Sequence, residues 1–359
     1  MLGIIKRALC KPRAEVYGLD HAILNIQLPP QAMWMNMGYW EHTNDFPEAC
    51  EALLHQVLTA ALSAETASAV RILDVGCGCG DQSLYLMNHL KDSASSSDFY
   101  PRSQTGTTTS SNLSDTKGSG STMRSRHRQP DFQSSSLPCL DSYIGITLEP
   151  AQAALASRRL HKTQRESDNS IPAEIFCADA ANPGCWTGEL KQAVTTFEAP
   201  STIQKQTQDI STWLLALDTL YHFRPSRLPL LNYAYHTLNA SFMGFDLIIS
   251  NRITWWEKIL LRVVCWGTNS PFGNFISETE YVYMLVAAGY DPTLIEIRDI
   301  TQHVFGGLAD FIDRRVEEAR PFGIKMGKFR VAKTAFAWWA TGRIVRGIVV
   351  VARKKGIEV

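Results

Sequence analysis

The segment DVGCGCG at residues 74–80 places glycines at three alternate positions, directly after a short apolar segment and directly before a helical one. RILDV at 71–75 is the predicted strand, and DQSLYLMNHL at 81–90 is the predicted helix. Glycines permit a tight turn with positive φ and let the backbone approach a ligand without a β-carbon in the way. The pattern DxGxGxG therefore predicts a strand, a ligand-binding loop and a helix in that order.

The spacing of these glycines also excludes two common ligand classes. A dinucleotide fingerprint requires GxGxxG, and Asp81 occupies the position of its last glycine. A carboxylate beside a pyrophosphate is unfavourable, and the loop lacks the GK[ST] of a phosphate-binding P-loop. We expect a ligand that is not held through its phosphates.

Apolar segments and helical segments alternate along the rest of the chain. Near-continuous apolar strands separated by helices indicate a parallel sheet covered on both faces. One helix is predicted to begin at Ser277, which forms an S-x-x-E capping box with Glu280, and to end at Gly289. The predicted strands, with RILDV the first of seven, continue as SYIGITL (142–148), AEIFCAD (173–179), WLLALDTL (213–220), FDLIIS (245–250), TLIEIRD (293–299) and RGIVVVARKK (346–355).

Charge and cysteine usage narrow the class of protein. Lys+Arg and Asp+Glu both total 35, so no net field favours nucleic acid as a partner. The eight cysteines lack paired CxxC spacing, which indicates reduced thiols and no metal site. No apolar stretch reaches the roughly 18 residues of a membrane span, and the N-terminus lacks a secretory signal. We expect a cytoplasmic protein.

A segment rich in Ser, Thr and Gly interrupts the alternation. Residues 92–137 contain almost no aliphatic side chains and are predicted to be disordered, with RSRHR (124–128) as a candidate regulatory patch or simply part of a solvated loop. The expected organisation is an N-terminal helical cap or lid (1–69), a ligand-binding domain (70–91 and 138–359), this insertion, and a substrate-side insertion at 251–276.

The glycine loop in this context resembles the first motif, LDVGCGxG, of the class I S-adenosylmethionine-dependent methyltransferases. The resemblance implies an α/β, Rossmann-like, seven-stranded, mostly parallel sheet with an antiparallel last strand. It implies that Gly76, Gly78 and Gly80 pass close to the cofactor. It also implies that Asp74 orders the loop and faces the amino group of the methionine portion.

The second strand departs from the usual family pattern. Most members end it with an acidic residue that binds the ribose, whereas GITLEPAQ offers Thr147 and, five residues on, Gln152. This variant resembles GxTLSxxQ of the subgroup with cyclopropane fatty acid synthases, sarcosine and coclaurine N-methyltransferases and tocopherol methyltransferases. The resemblance implies ribose binding by Thr147 and Gln152, and adenine contacts from Asp179 and Ala180 after the third strand.

Polar residues follow the fourth strand at the edge where ligands sit in open α/β sheets. Asp218 is a candidate cofactor ligand, and Tyr221 and His222 are candidate catalytic residues. His222 has an unperturbed pKa near neutrality and is suited to accept a proton. The alternative interpretation is that His222 is a structural, hydrogen-bonded histidine. Many N-methylations require no base, so methyl transfer does not by itself demand one.

Aromatic residues on both sides of the expected site suggest walls that exclude water. NMGYW resembles the segment that closes over the cofactor in the subgroup, which implies contacts from Tyr39 and Trp40; the alternative is packing of an N-terminal helix on the sheet. Cyclopropane-type members usually carry a Tyr- and Ser-rich segment where NMGYW stands, so this segment argues against a cyclopropane-type activity. Trp255 and Trp256 lie on a predicted helix that could line an apolar substrate pocket, rest on a membrane or belong to the core.

The expected function is methyl transfer from S-adenosylmethionine to an amine, hydroxyl or activated carbon of an apolar small molecule or lipid, with peripheral membrane contact as a possibility and without metal. Two alternatives remain open: cyclopropane-type modification of a lipid alkene, and noncatalytic binding of S-adenosylmethionine.

Overall fold

A computed structural model describes residues 27–90, 137–166, 171–198, 209–267, 270–342 and 344–355. The predicted insertion, apart from its last residue, lies outside the described residues. So do residues 1–26 of the predicted cap.

The described chain forms one seven-stranded sheet with strand order β3-β2-β1-β4-β5-β7-β6. Strands β1 to β5 pair in parallel, and β7 is antiparallel to both β5 and β6. The predicted α/β sheet with an antiparallel last strand is confirmed. The strands are β1 (Ala69–Val75), β2 (Cys139–Thr147), β3 (Ala173–Cys177), β4 (Ile210–Leu217), β5 (Ser241–Ile249), β6 (Ile295–Asp299) and β7 (Val345–Ala352).

Nine helices accompany the sheet in the described ranges. They are α1 (Phe46–Leu62), α2 (Asp81–His89), α3 (Pro150–Glu166), α4 (Gly188–Glu198), α5 (Leu228–His236), α6 (Trp255–Gly267), α7 (Glu278–Ala287), α8 (Phe305–Ala319) and α9 (Gly327–Trp339). The capping box predicted for α7 is present, because Ser277 and Glu280 exchange side-chain and backbone hydrogen bonds. Helices α8 and α9 were not predicted.

The helices cover both faces of the sheet and bury two apolar clusters. Successive residues of a strand point to opposite faces, so Ile72 joins one cluster and Leu73 the other. The first cluster includes side chains of α1, α2, α3, α6, α8 and α9, whereas α4, α5 and α7 contribute to the second. Helix α1, in the predicted cap, is therefore part of a core layer.

Helix α1 begins at a well-formed cap. Asp45 accepts a hydrogen bond from the backbone N–H of Glu48 at 3.1 Å, and Pro47 lies in the first turn. Its apolar side, including Leu53, Leu54 and Val57, is completely buried. In the described ranges, no helix combines the length and the apolar character that a bilayer crossing needs.

Candidate active site

A cleft of about 340 Å³ opens at the carboxyl ends of β1, β2 and β4. The chain leaves β1 toward α2 on one face of the sheet and leaves β4 toward α5 on the other. Such a divergence produces the crevice in which open α/β sheets bind their ligands. The lining residues are Met33 to Asn36, Gly76 to Cys79, Asp81, Gln82, Thr147 to Glu149, Gln152, Leu217 to Thr219, Tyr221 and His222.

The glycine loop forms the floor of this cleft. Gly76, Gly78 and Gly80 all have positive φ, at 85°, 57° and 88°. A β-carbon on Gly76 would lie 2.7 Å from the hydroxyl oxygen of Thr219, whereas one on Gly78 would meet only the Met35 sulfur, at 3.8 Å. The backbone at Gly78 is thus bare on its cleft side and offers space for a ligand.

Gly80 packs closely against α3. It is not among the lining residues, and a β-carbon there would lie 3.0 Å from that of Ala156 in α3. Its lack of a side chain permits this packing, and the approach to the cofactor that the resemblance implies stays a prediction.

Asp74 orders the loop from beneath. Its carboxylate is completely buried and accepts hydrogen bonds from the Gln82 side chain at 2.6 and 2.7 Å and from the Tyr143 hydroxyl at 2.6 Å. Burial raises the pKa of Asp74 to about 6, and these two donors oppose the rise. Asp74 is not among the residues that line the cleft, and the contact with a ligand amino group that the resemblance implies stays a prediction.

Asp81 joins the cleft to α3 and to the N-terminal segment. Both of its oxygens accept from the Arg159 guanidinium at 2.8 Å, and one also accepts from the Met33 backbone N–H at 3.1 Å. Arg159 in addition donates to the carbonyl of Gln31 at 3.0 Å. This bidentate pair compensates the negative charge in the cleft and holds residues 31–33 over it.

Thr147 and Gln152 form a polar pair on one wall. The Thr147 hydroxyl donates to the Gln152 side-chain oxygen at 2.8 Å, and the Gln152 amide nitrogen lies 3.5 Å from the Met35 sulfur. The structure thus brings together the two residues that were assigned to the ribose. Glu149 and Leu148 lie beside them.

Asp218 is the buried carboxylate of the opposite wall. One of its oxygens accepts from the Met37 backbone N–H at 2.8 Å, and the other has no hydrogen-bond partner among the described residues. Burial raises the pKa of Asp218 to about 8, and donors on Tyr221 and Met37 oppose the rise only in part. A buried acceptor without a partner is costly, which makes this oxygen a natural ligand for a donor in the cleft.

Tyr221 and His222 lie on a 3₁₀ turn, Leu220–His222, that follows Asp218. The Asn274 side chain fixes this turn by donating to the carbonyls of Tyr221 and Phe223 at 3.1 and 2.6 Å. His222 lies at the rim, where Nδ1 is 3.2 Å from the Ser270 hydroxyl. Burial lowers the pKa of His222, so its imidazole is neutral at pH 7.

Tyr39 and Trp40 are not among the residues that line the cleft, and their contact with a cofactor stays a prediction. The Tyr39 hydroxyl donates to Glu41, and its ring lies 5.0 Å from that of His303. The Trp40 indole N–H donates to the Met37 carbonyl at 2.8 Å, and its ring lies 5.3 Å from Phe311 of α8. Both residues are buried in the layer that α1 and α8 form, which is the packing alternative.

Residues 33–36, which precede Tyr39 and Trp40 in the chain, form a wall of the cleft. Trp34 and Met35 are the large apolar side chains there, and Trp34 packs edge-on against Tyr85 of α2. Their only sequence signal is MWMN, a run of large side chains just before NMGYW.

Four other predicted residues are not brought to the cleft. Asp179 and Ala180 follow β3; the Asp179 carboxylate accepts from the Ala181 backbone N–H at 2.9 Å, and neither residue is in the lining. Trp255 and Trp256 stack on each other with ring centroids 3.7 Å apart on α6, exposed to solvent. The adenine contact stays a prediction, and the substrate wall on α6 is not part of this cleft.

Metal ligands are not clustered in the part of the chain that the structure covers. Within those ranges no group of three His, Cys, Asp or Glu side chains could hold a metal ion. The free cysteines of the loop, Cys77 and Cys79, are buried, and burial raises the pKa of both thiols.

Comparison with solved structures shows the fold. A cyclopropane synthase of Mycobacterium tuberculosis matches with a TM-score of 0.54 at 13% identity, over 89% of this chain and 90% of its own. A geranyl diphosphate C-methyltransferase of Streptomyces coelicolor matches with a TM-score of 0.53 at 11% identity, over 96% and 99%. A phosphoethanolamine N-methyltransferase of Haemonchus contortus matches with a TM-score of 0.53 at 10% identity, over 86% of this chain and 54% of its own.

No protein-family model matches the sequence. No curated protein matches it either. The chain has the α/β fold of these methyltransferase structures at a level of identity where only the fold is shared.

Proposed function

We propose that this chain is an S-adenosylmethionine-dependent methyltransferase that acts on an amine, hydroxyl or activated carbon of an apolar small molecule or lipid. The observation that carries the proposal is the bare backbone at Gly78 between two polar walls. One wall holds the Thr147 and Gln152 pair, and the other holds the unpartnered oxygen of Asp218.

The residues of the cleft fit the chemical groups of this cofactor. Gly76 and Gly78 would lie against its methionine portion, because the cleft side of Gly78 is open. Thr147 and Gln152 would share hydrogen bonds with its ribose hydroxyls. Asp218 would accept from its cationic ammonium, and a charge-assisted bond there would satisfy the buried oxygen. When bound, the cofactor supplies an electrophilic methyl group on a sulfonium.

The chain itself would orient the acceptor and exclude water. Trp34 and Met35 cover the cleft with apolar surface, so competing water has less access. At the rim, neutral His222 can take a proton from a hydroxyl or ammonium acceptor through its imidazole. The Tyr221 hydroxyl keeps its proton, because burial and Asp218 raise its pKa well above its usual value. It therefore cannot act as a base.

The size of the cleft bears on the class of acceptor. A cleft of about 340 Å³ lies at the lower end of the size range of small-molecule sites, roughly 300–1,000 Å³. A lipid acceptor would have to be collected from a carrier or a membrane, and peripheral membrane contact belongs to the proposal for that reason. A cytoplasmic location and a role in small-molecule metabolism are proposed with it.

The cofactor site is tested by calorimetric titration of S-adenosylmethionine into wild-type protein and two alanine variants. Gly78→Ala places a methyl group on the cleft floor, and we expect affinity to fall at least tenfold, about 1.4 kcal/mol. Gly342→Ala is the matched control: its φ is +66° and its added β-carbon would meet one atom at 3.9 Å, far along the chain in the turn before β7. Equal affinities for the two variants, or no uptake by wild type, would refute the site.

Catalysis is tested separately from binding. The protein is incubated with cell extract and methyl-labelled cofactor, and labelled products are identified by mass spectrometry. A labelled amine, ether or C-methyl product supports the proposal, and a cyclopropane product selects the alkene alternative. Confirmed cofactor binding without any labelled product would favour the noncatalytic alternative.

A further inference from the structure

The solvent-facing side of α6 is unusually apolar. Trp266 is 86% exposed, Trp256 64% and Trp255 62%. Between them, Ile259, Leu260 and Val263 are 44%, 50% and 56% exposed. Single exposed apolar residues are ordinary, but six on one helix of 13 residues form a contiguous surface that calls for a partner.

These six residues share one side of the helix, and we call them the α6 face. At about 100° per residue they fall within an arc of about 140°, in the order Trp255, Trp266, Ile259, Val263, Trp256, Leu260. The buried residues Leu261 and Cys265 lie roughly opposite the centre of that arc. The helix is therefore anchored by one apolar side and presents a second apolar side to solvent.

Two cations border the α6 face. Lys258 and Arg262, one turn apart and both exposed, lie next to the Trp255 edge of the arc. The acidic residue of the helix, Glu257, lies beyond the other edge and caps its first turn by accepting from the N–H and hydroxyl of Thr254, each at 2.8 Å. An apolar arc rich in Trp with flanking Lys and Arg is the pattern of helices that lie in a lipid interface.

The size of the face argues against a second copy of the chain as its partner. A helix of 13 residues is about 20 Å long and about 10 Å wide, so its footprint is about 200 Å². A stable protein interface needs about 800 Å² from each partner. A bilayer has no such threshold, since binding strength scales with the inserted apolar area plus attraction to anionic lipid.

The α6 face is attached to the rim of the cleft. Ser270, three residues after the helix, contacts the His222 imidazole, and the Arg262 guanidinium lies 4.8 Å above the ring of Phe272. Phe275, in the same loop, is 6.0 Å from Tyr221 between ring centroids. A surface that rests on α6 would therefore lie near the entrance of the site.

We propose that α6 docks this protein on an anionic phospholipid bilayer. The six apolar residues insert at the level of the headgroups and upper acyl chains, and Lys258 and Arg262 contact lipid phosphates. The docking gives the proposed methyl transfer access to a membrane-resident acceptor; that purpose rests on the proposed function, whereas the docking itself does not.

The test is co-sedimentation of the full-length chain with vesicles of phosphatidylcholine, alone or mixed with phosphatidylglycerol. We expect binding that is at least tenfold stronger to the anionic vesicles. The double variant Ile259→Ser/Trp266→Ser should bind both kinds of vesicle at least tenfold more weakly than wild type. Lys258→Gln/Arg262→Gln should lose the preference for phosphatidylglycerol.

Two matched controls accompany these variants. Arg158→Gln/Lys162→Gln removes an exposed cation pair with the same spacing from α3, and Tyr283→Ser removes an aromatic that is 70% exposed on α7. Both should bind vesicles like wild type. Calorimetric titration of S-adenosylmethionine into every variant keeps the two proposals apart, because a loss of vesicle binding with intact cofactor uptake concerns the α6 face alone.

Several results would overturn the docking. These are failure of wild type to bind either vesicle, binding that ignores the α6 variants, and equal losses in the controls. A dimer in analytical ultracentrifugation that Ile259→Ser/Trp266→Ser dissociates would likewise overturn it, since a second copy would then cover the face.

Discussion

Two adjacent stretches of the N-terminal segment have similar side chains but opposite surroundings. Residues 33–36 lie over the cleft, and Tyr39 and Trp40 are buried between α1 and α8. The chain turns between them at Gly38, where φ is +74° and a β-carbon would lie 2.8 Å from that of Ala49. One segment thus serves as a wall of the cleft and as part of the core.

Backbone hydrogen bonds determine which stretch faces the cleft. The N–H of Met33 donates to Asp81 and that of Met37 donates to Asp218, so both ends of the wall are attached to cleft carboxylates. After the turn, the N–H of Tyr39 donates to the Ala49 carbonyl and that of Trp40 to the His303 carbonyl, each at 2.7 Å. A shift of a few residues along the chain separates the cleft wall from the core.

The largest effect should come from Trp40→Ala. Removing this buried indole leaves a cavity against Phe46 and Phe311, and we expect the free energy of unfolding to fall by about 3–5 kcal/mol. Urea unfolding measures the loss. The cofactor affinity of the protein that remains folded should stay within about twofold of wild type, well under the 1.4 kcal/mol of a tenfold change.

Trp34→Ala is the counterpart on the cleft side. Trp34 is only partly buried, so its loss should cost less than about 1.5 kcal/mol of stability but weaken cofactor binding at least tenfold. The assignment of the two stretches would be wrong if Trp40→Ala weakened cofactor binding without lowering the free energy of unfolding.

Much of the fold was predictable because strand and helix periods are local properties of the sequence. The strands, the glycine loop and the capped helix α7 each carry their own signal. Helices α8 and α9 were missed between the sixth and seventh strands. The glycine pair at the start of α8 and the three aromatic residues near the end of α9 lower intrinsic helix propensity, and tertiary packing of Phe305 and Trp339 compensates for it.

Most of the cleft residues that the sequence identified lie at the end of a strand or a few residues after it. Gly76, Gly78, Thr147 and Asp218 are placed by the strand that precedes them, and the structure brings them to one cleft. Tyr39 and Trp40 are placed by long-range contacts with His303 and the residues of α8, which no local pattern reveals. The structure places the preceding residues 33–36 in the cleft wall, and a contact of Tyr39 or Trp40 with the cofactor stays a prediction.

A third, smaller effect should appear in the pH dependence of cofactor binding. Because burial raises the pKa of Asp218 to about 8, this carboxyl is protonated in the free protein at pH 6. A cation that binds beside it favours the ionised form, so affinity should rise with pH below about 8, approaching tenfold per pH unit. Calorimetry at several pH values measures the slope, and Asp218→Asn should flatten it.

The free energy of unfolding should depend on pH with the opposite sign, because of the same Asp218 carboxyl. A carboxyl with a raised pKa in the folded state stabilises the fold in its protonated form, and this contribution is lost as pH rises through about 8. In Asp218→Asn the decline in the free energy of unfolding between pH 6 and pH 8 should be reduced.

Parallel pH profiles of cofactor affinity for wild type and Asp218→Asn would show that Asp218 does not contact the bound cation. Asp74, which titrates lower, at about 6, would leave its own slope in both proteins.

The smallest effect, and the sharpest for the comparison, is that of Tyr39→Phe. The Tyr39 hydroxyl donates to Glu41 at a partly exposed position, so its loss should cost about 0.5–1.5 kcal/mol in urea unfolding. Burial raises the pKa of Tyr39 to about 12, so the hydroxyl is protonated throughout the working range and pH should not modulate the effect. If this hydroxyl instead contacted the carboxylate of the cofactor, its removal would weaken binding by a charge-assisted hydrogen bond, about 1.5–3 kcal/mol or more than tenfold in affinity. Unchanged cofactor affinity in a calorimetric titration would show that Tyr39 serves only in packing. A tenfold loss of cofactor affinity would show that Tyr39 contacts the cofactor.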